Sequence, residues 1–380
     1  MTPAARISAA IGVLDQVLQG APAEQALLRW SRASRFAGSG DRAAVRDLVF
    51  DALRRRDTLA ALGGGPGGRG LMIGLCRETG EDLAAIFTGE GHAPAPLTES
   101  ERAGHAVPGD NLPDWLRPQW RRALGSDADA VAAAMGQRAP VWLRHNPQRA
   151  GLAQALAALA ADGIETAPDP RLASALRVIS GARRVASGRA YGEGMVELQD
   201  LSPQLACAEL PCAPGMRVLD YCAGGGGKAL ALAARNPELR IEAHDAEPDR
   251  MRDLPVRARR AGAAIALTAR PSGHYGLVVA DVPCSGSGTW RRQPDAKWRL
   301  TPERLEQLRR IQASILDRAA GLVAAKGHLA YMTCSLLTAE NDAQIQAFLQ
   351  RNQDFALVQD RLWTPLTASD GFFLALLRRA

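Results

Sequence analysis

Apolar residues recur every three or four positions through the first part of the chain, then give way to short unbroken apolar runs past its middle. Ile11, Leu14, Val17 and Leu18 share one helical face, as do Val45, Leu48, Val49, Ala52 and Leu53, so residues 5–62 are expected to be helical. Ser39 or Asp41 is placed to cap the second of these helices, because a short acceptor satisfies the free N–H groups of a first turn. Residues 63–70 carry too many glycines for a helix interior and read as a flexible loop. A surface stretch rich in Pro, Gly and Glu runs from residue 89 to 113, and an alanine-rich helix is expected near 128–136. Around Ala139 the character changes. Strands at 141–144 and 173–179 flank a helix at 152–161, which predicts a small α+β subdomain. From Met216 apolar strands at 216–221, 240–245, 264–268, 275–280 and 327–333 alternate with helices near 227–235, 248–261, 302–324 and 338–350. Residues 372–377 add a last strand. That alternation implies an α/β fold, with a mostly parallel sheet covered on both faces. The expected organisation is a helical domain over 1–136, the small α+β subdomain over 139–198, and a Rossmann-like domain over 199–380.

Composition narrows the picture in three ways. No apolar run is long enough to span a bilayer, and residues 1–6 do not open a secretory signal, so a cytoplasmic protein without a membrane partner is expected. The six cysteines are scattered and form no CxxC pair, which argues for a reducing compartment and against a structural zinc site; no metal is expected. Net charge is +6, and among 46 basic residues only Lys228, Lys297 and Lys326 are lysines. Arginine's fork of donors suits phosphate. Arg42, Arg46, Arg54 and Arg55 on the N-terminal helices are therefore candidate RNA contacts, beside the alternative of a merely solvated face.

The chemistry collects at strand ends. Asp220-Tyr221-Cys222-Ala223-Gly224-Gly225-Gly226-Gly227-Lys228 is a strand, a glycine loop and a helix start. Glycines admit close backbone approach, and a helix N-terminus presents free N–H groups to a polar ligand. The loop is neither a Walker A sequence nor GxGxxG, since Ala229 and Leu230 follow Lys228. Asp245, about 20 residues on, ends the next strand where a carboxylate can accept ribose hydroxyls; Glu247 is its rival. Cys222 to Lys228, Asp245, Thr268 at the third strand's end and Asp281 at the fourth make the candidate cofactor site. Asp281 opens Asp281-Val282-Pro283-Cys284-Ser285-Gly286-Ser287-Gly288, and a second cysteine follows the next strand in Thr333-Cys334-Ser335. A lone cysteine after a strand is usually an inert small hydrophobe. Two at neighbouring strand ends, beside an acid and a glycine loop, point to thiol chemistry.

At these residues the chain resembles the Sun/RsmB family of RNA cytosine-C5 methyltransferases, marked by DxCAxPGGK, DxPCSGxG and TCS. Further matches are Arg291 to Trp298, Glu340-Asn341-Asp342, Asp370 to Phe373, Gln199 to Gln204 and Trp142 to Asn146. Residues 5–60 resemble the NusB-like helical RNA-binding domain of RsmB-type members. The resemblance implies a Rossmann-like class I methyltransferase using S-adenosylmethionine, with RNA as partner and unmodified small-subunit ribosomal RNA as the expected substrate. It implies Cys334 as the nucleophile at cytosine C6, Cys284 in product release, Asp281 at cytosine N3 and Lys228 in orientation. Arg291, Arg292 and Lys297, in the loop beyond Cys284, become candidate RNA contacts. Trp298 and Tyr331 either border the pocket or fill the core. Two departures stand out: Gly225 replaces the family proline, which frees the loop backbone, and Thr268 stands where an acid is common. A transfer-RNA substrate and a non-catalytic assembly factor remain as alternatives. A DNA methyltransferase is disfavoured, although Pro283-Cys284 has the look of that class's nucleophile motif. No obligate protein partner is evident.

Overall fold

The computed structural model describes residues 1–103 and 110–380, so residues 104–109 of the Pro/Gly/Glu-rich stretch lie outside the described residues. The chain forms two compact units. One takes Met1–Arg138 together with Thr289–Thr301; the other takes Ala139–Gly288 and Pro302–Ala380. The segment 289–301, expected inside the catalytic domain, thus belongs to the first unit.

In that unit the helical periodicity buries what it should. Helices Pro3–Leu18, Ala23–Ala33, Ser39–Arg54, Arg56–Gly63 and Gly68–Thr79 enclose Leu14, Val45, Val49, Leu53, Leu59, Leu71 and Met72. The glycine run is not a flexible loop. A Cβ on Gly63 would lie 1.7 Å from the Gly70 carbonyl oxygen, and one on Gly74 would lie 2.1 Å from that of Leu59. The glycines let two helix backbones touch, and only 64–67 form the turn. The N-cap residue of Ser39–Arg54 is Gly38, and Asp41 caps the helix as expected by accepting the Gly38 N–H at 3.4 Å, while it also receives the amino group of Met1 and the Arg6 guanidinium. Residues 289–301 finish this unit. The Trp290 ring stacks on Trp120 at 6.0 Å. Trp298 Nε1 donates to Leu53 O at 2.7 Å and Lys297 Nζ to Arg54 O at 3.2 Å. Both close carbonyls at the C-terminal, negative end of helix Ser39–Arg54, where a cation and fresh donors are favoured.

The second unit carries two sheets. A four-stranded antiparallel sheet holds β1 (Trp142–His145), β2 (Glu165–Asp169), β3 (Leu172–Ser180) and β4 (Val196–Leu198) in the order β2-β3-β1-β4. The larger sheet has β5 (Arg217–Asp220), β6 (Arg240–Ala243), β7 (Ile265–Leu267), β8 (Tyr275–Asp281), β9 (Val323–Thr333), β10 (Phe355–Trp363) and β11 (Phe372–Arg379). Its order is β10-β11-β9-β8-β5-β6-β7. β5 to β9 run parallel, while β10 and β11 pair antiparallel, as expected of a mostly parallel, Rossmann-like sheet. Apolar runs such as 277–280 are buried on both faces, which is why they lack alternation. The strand order reverses between β5 and β8, and a ligand crevice is expected beyond their carboxyl ends. Among the described residues no helix is long and apolar enough to cross a membrane, and no group of His, Cys, Asp and Glu is arranged to hold a metal.

Candidate active site

Each sequence motif leaves the sheet at a carboxyl end. β5 delivers Asp220 into the core, 1% exposed. Its Oδ2 accepts the Ala229 N–H at 3.0 Å, tying strand to following helix, while Oδ1 has no partner within the protein. Burial pushes this carboxyl up to about 7, against the pull of Lys228. The glycine loop turns through left-handed residues Gly224 (φ +48°) and Gly226 (φ +80°), and a Cβ on Gly226 would strike Leu254 Cδ1 at 2.1 Å. Gly225 is restrained after all. Arg257 donates to its carbonyl, and a Cβ there would meet Arg257 Nη1 at 2.6 Å. Arg257 is itself held by Glu197 of β4 at 3.3 Å.

The small sheet braces the loop from a second direction. Buried Arg144 of β1 donates to Gln199 and, at 3.3 Å, to Gly227 O, which also accepts Gln199 Nε2 at 3.2 Å. Asn146 Nδ2 donates to Gly194 O and Ala261 O at 3.0 and 2.8 Å. Arg144 and Gln199 thus hold the end of the glycine loop, a role invisible in their spacing.

Asp245, 4% exposed, lies under the same loop. Its two oxygens accept the N–H groups of Gly224 and Glu247 at 2.9 and 3.0 Å, leaving each a lone pair for a hydroxyl. Glu247 is exposed. Thr268 ends β7 beside them, its N–H on Ala243 O and its carbonyl accepting His244 Nδ1 at 3.1 Å. Burial pushes the Cys222 thiol far up.

Lys228, from the first turn after the loop, pairs with Asp281 at the end of β8. Burial works against its ammonium, but the Asp281 carboxylate outweighs that and raises its pKa above the ordinary lysine value. Asp281 is in register with Met332 of β9, so the two loops that follow leave side by side. They bring Cys284 Sγ within 3.3 Å of Cys334 Sγ, both half-buried. The Cys284 thiol is raised well above its usual range, first by the Cys334 hydrogen bond and then by burial. Tyr331 is core: fully buried, it donates to Glu340 O at 2.7 Å.

Sequence reasoning missed a polar cluster behind the cysteines. Glu340, fully buried, accepts Ser285 N–H at 2.8 Å, Ser285 Oγ at 2.5 Å, Ser335 Oγ at 2.6 Å and Gln312 Nε2 at 2.9 Å. The signal available was a serine directly after each cysteine.

Three candidate phosphate contacts are corrected. Arg54, Arg291 and Lys297 are 7%, 6% and 2% exposed. Arg54 donates to Arg291 O at 2.7 Å, and burial pushes Lys297 down to about 7, so these side chains build structure rather than meet solvent phosphate. Arg55 is ion-paired with Glu78 and Arg46 with Glu24, Arg292 is half-buried, and Arg42 is exposed.

The buried Asp220 carboxyl has a measurable consequence. The folded chain keeps a proton that the unfolded chain releases, so stability falls as pH rises from about 4 to about 7. Asp220→Asn is expected to remove that decline, gaining roughly 4 kcal/mol over wild type by about pH 8 and almost nothing at about pH 4 in urea melts without ligand.

Comparison with known proteins agrees with this geometry. Residues 208–378 match the family described as 16S rRNA methyltransferase RsmB/F, and residues 112–185 match the ferredoxin-like domain of RsmF/B-like methyltransferases. The ribosomal RNA small subunit methyltransferase B of Xanthomonas campestris is 35% identical over 339 residues, covering 81% of this chain and 75% of that one. The crystal structure of PH0851 superposes with a TM-score of 0.76 at 21% identity, covering 100% of this chain and 99% of that one. NSun6 from Pyrococcus horikoshii with SFG gives 0.63 at 15%, covering 70% and 98%. The two structures show the same fold. By its sequence, the chain belongs to the Sun/RsmB family of RNA methyltransferases.

Proposed function

We propose that the protein transfers a methyl group from S-adenosylmethionine to C5 of a cytosine in small-subunit ribosomal RNA, with Cys334 as nucleophile. The observation that carries this reading is the pair of thiols 3.3 Å apart, at adjacent strand ends beside the Lys228–Asp281 pair. The residues present fit the cofactor. The partnerless Oδ1 of Asp220 suits its ammonium, the spare lone pairs of Asp245 suit a ribose, and the side-chain-free turns of Gly224 and Gly226 leave room for close approach. Bound there, S-adenosylmethionine supplies an electrophilic methyl on sulfur.

The chain's own residues do the rest. Cytosine C5 is a poor nucleophile until a thiolate adds at C6, so Cys334 forms the S–C6 bond while the C5–C6 π pair shifts to C4–C5 and the C4–N3 pair to N3. The proton carried by the Lys228–Asp281 pair passes from the Lys228 ammonium through the Asp281 carboxyl to N3 as charge develops there, and Lys228 keeps that carboxyl in place. C5 then takes the methyl. Its hydrogen leaves as a proton, the π bond re-forms, and the S–C6 bond breaks to return the Cys334 thiolate. Cys284 serves this release step. Its proton is held mainly by the neighbouring Cys334 sulfur. The target base must be splayed from its stack to expose C6. Exposed Arg32, Arg35 and Arg42 of the helical unit supply positive charge suited to RNA phosphates.

Tritiated methyl transfer to unmodified small-subunit ribosomal RNA tests the proposal, with bisulfite mapping to locate the product. Incorporation at a cytosine supports it. No incorporation, under conditions where calorimetry shows the cofactor bound, overturns the catalytic reading in favour of a binding factor that kept the fold.

A further inference from the structure

A carboxylate without a countercharge is costly to bury. Glu340 is fully buried, yet its four hydrogen bonds come from uncharged donors: the Ser285 N–H and hydroxyl, the Ser335 hydroxyl and the Gln312 amide. All four point at acceptor-only oxygens, the pattern a carboxylate anion satisfies. The placement is specific. Ser285 directly follows Cys284, and Ser335 directly follows Cys334. Ladder pairing between β8 and β9 reaches Asp281 and Met332, and one more backbone bond joins Val282 N–H to Met332 O at 3.0 Å. Beyond that point the sheet no longer sets the spacing of the two loops, and each cysteine lies in the unladdered stretch.

We propose that Glu340 is the positioning residue of the site: by gripping Ser285 and Ser335 in one carboxylate it sets the separation of the Cys284 and Cys334 sulfurs. Ser335 and Ser287 hydroxyls meet at 3.0 Å, and Gly288 N–H reaches Cys334 O at 2.9 Å, so the loops keep a second connection when the first is cut. Glu340 touches neither sulfur and acts through the serines. This role rests on the reading that both thiols take part in methyl transfer.

Glu340→Gln keeps the shape, but its amide N–H₂ fits only if the Ser285 and Ser335 hydroxyls turn round to accept, which gives up the two charge-assisted bonds that hold them. The test reads two quantities. The first is the rate at which diamide, which takes one hydrogen from each thiol and becomes the hydrazine, joins Cys284 to Cys334 in the free protein, followed by peptide mass mapping. The second is kcat and KM for methyl transfer to unmodified small-subunit ribosomal RNA. Glu340→Gln is expected to slow disulfide formation at least roughly tenfold and to lower kcat about 100-fold, because misplacement near 1 Å costs that much, with KM for RNA and the melting temperature close to wild type. The Ser285→Ala, Ser335→Ala double variant should slow disulfide formation and lower kcat alike, with a lower melting temperature because the buried carboxylate loses two of its donors, and it stands in if Glu340→Gln does not fold. An unchanged disulfide rate in the folded variants overturns the proposal, whatever happens to kcat. Because that rate is read without RNA or cofactor, it judges Glu340 even if the wild-type protein fails to methylate, a failure that would count against the functional reading instead.

Discussion

Cys334→Ala lowers methyl transfer by at least ~10⁴-fold and forms no covalent complex with RNA, whereas Cys284→Ala accumulates one; this is the expected result of a denaturing gel of protein mixed with labelled RNA. The two sulfurs are too close for packing alone to assign roles, being 3.3 Å apart and half-buried alike. Cys334, burial and the charge of Glu340 all push the Cys284 thiol up, and it is the resemblance of the TCS and PCSGxG motifs that assigns attack to Cys334 and release to Cys284. Without Cys334 the ring carbon C5 is never activated. Without Cys284 the adduct forms, takes its methyl and then lacks the group that helps it leave. The opposite pair of results would exchange the two assignments. Either alanine removes a small side chain from a half-buried place, so the melting temperature should move little in both variants.

Lys228→Met is expected to cost both activity and stability: methyl transfer lower by about 100-fold or more, and unfolding easier by roughly 3 kcal/mol. Lys228 is paired with Asp281, and its charge also acts on buried Asp220, so the variant leaves two acids at the crevice without it. The pH dependence follows from the sign of the shift. The folded chain raises the Lys228 pKa, so the pair contributes in full below the ordinary lysine range and is lost as pH rises above it. Urea melts of wild type and variant should therefore differ most at neutral pH and converge in strong alkali. A variant as stable as wild type at neutral pH would show that the pair does not hold the crevice together.

How far the sequence carried depends on which physical signal each part leaves. β5, the glycine loop and the helix Gly227–Arg235 were legible because a doubly buried strand, a turn and a helical face each leave a distinct pattern. The cysteines were legible because they sit where strands stop. β10 was not: it is an edge strand, with Leu357 and Val358 exposed among Gln359, Asp360 and Arg361, so it lacks the apolar run that marked its neighbours. β2 is an edge strand too, and contains Pro168, which reads as a break. Glycines 63–70 misled because one composition serves a loose loop and a close helix crossing equally well. The basic residues misled for a related reason. Arginine content says nothing of direction, and Arg54 and Lys297 turn inward to meet backbone carbonyls. The Gly225 departure looked like lost rigidity, yet Arg257, 32 positions on, supplies the restraint through space.

The helical unit is discontinuous along the chain, and that has a bearing on how the molecule comes into being. Synthesis proceeds from the N-terminus, and domains commonly fold as they emerge. Here the first 138 residues leave the ribosome with Trp120 unstacked and the end of helix Ser39–Arg54 uncapped, because Trp290, Lys297 and Trp298 are encoded far downstream. The strands β1 to β8 are all translated in the interval. A unit begun before β1 is thus finished only after β8, and the tether that finishes it begins one residue after the motif that carries Cys284.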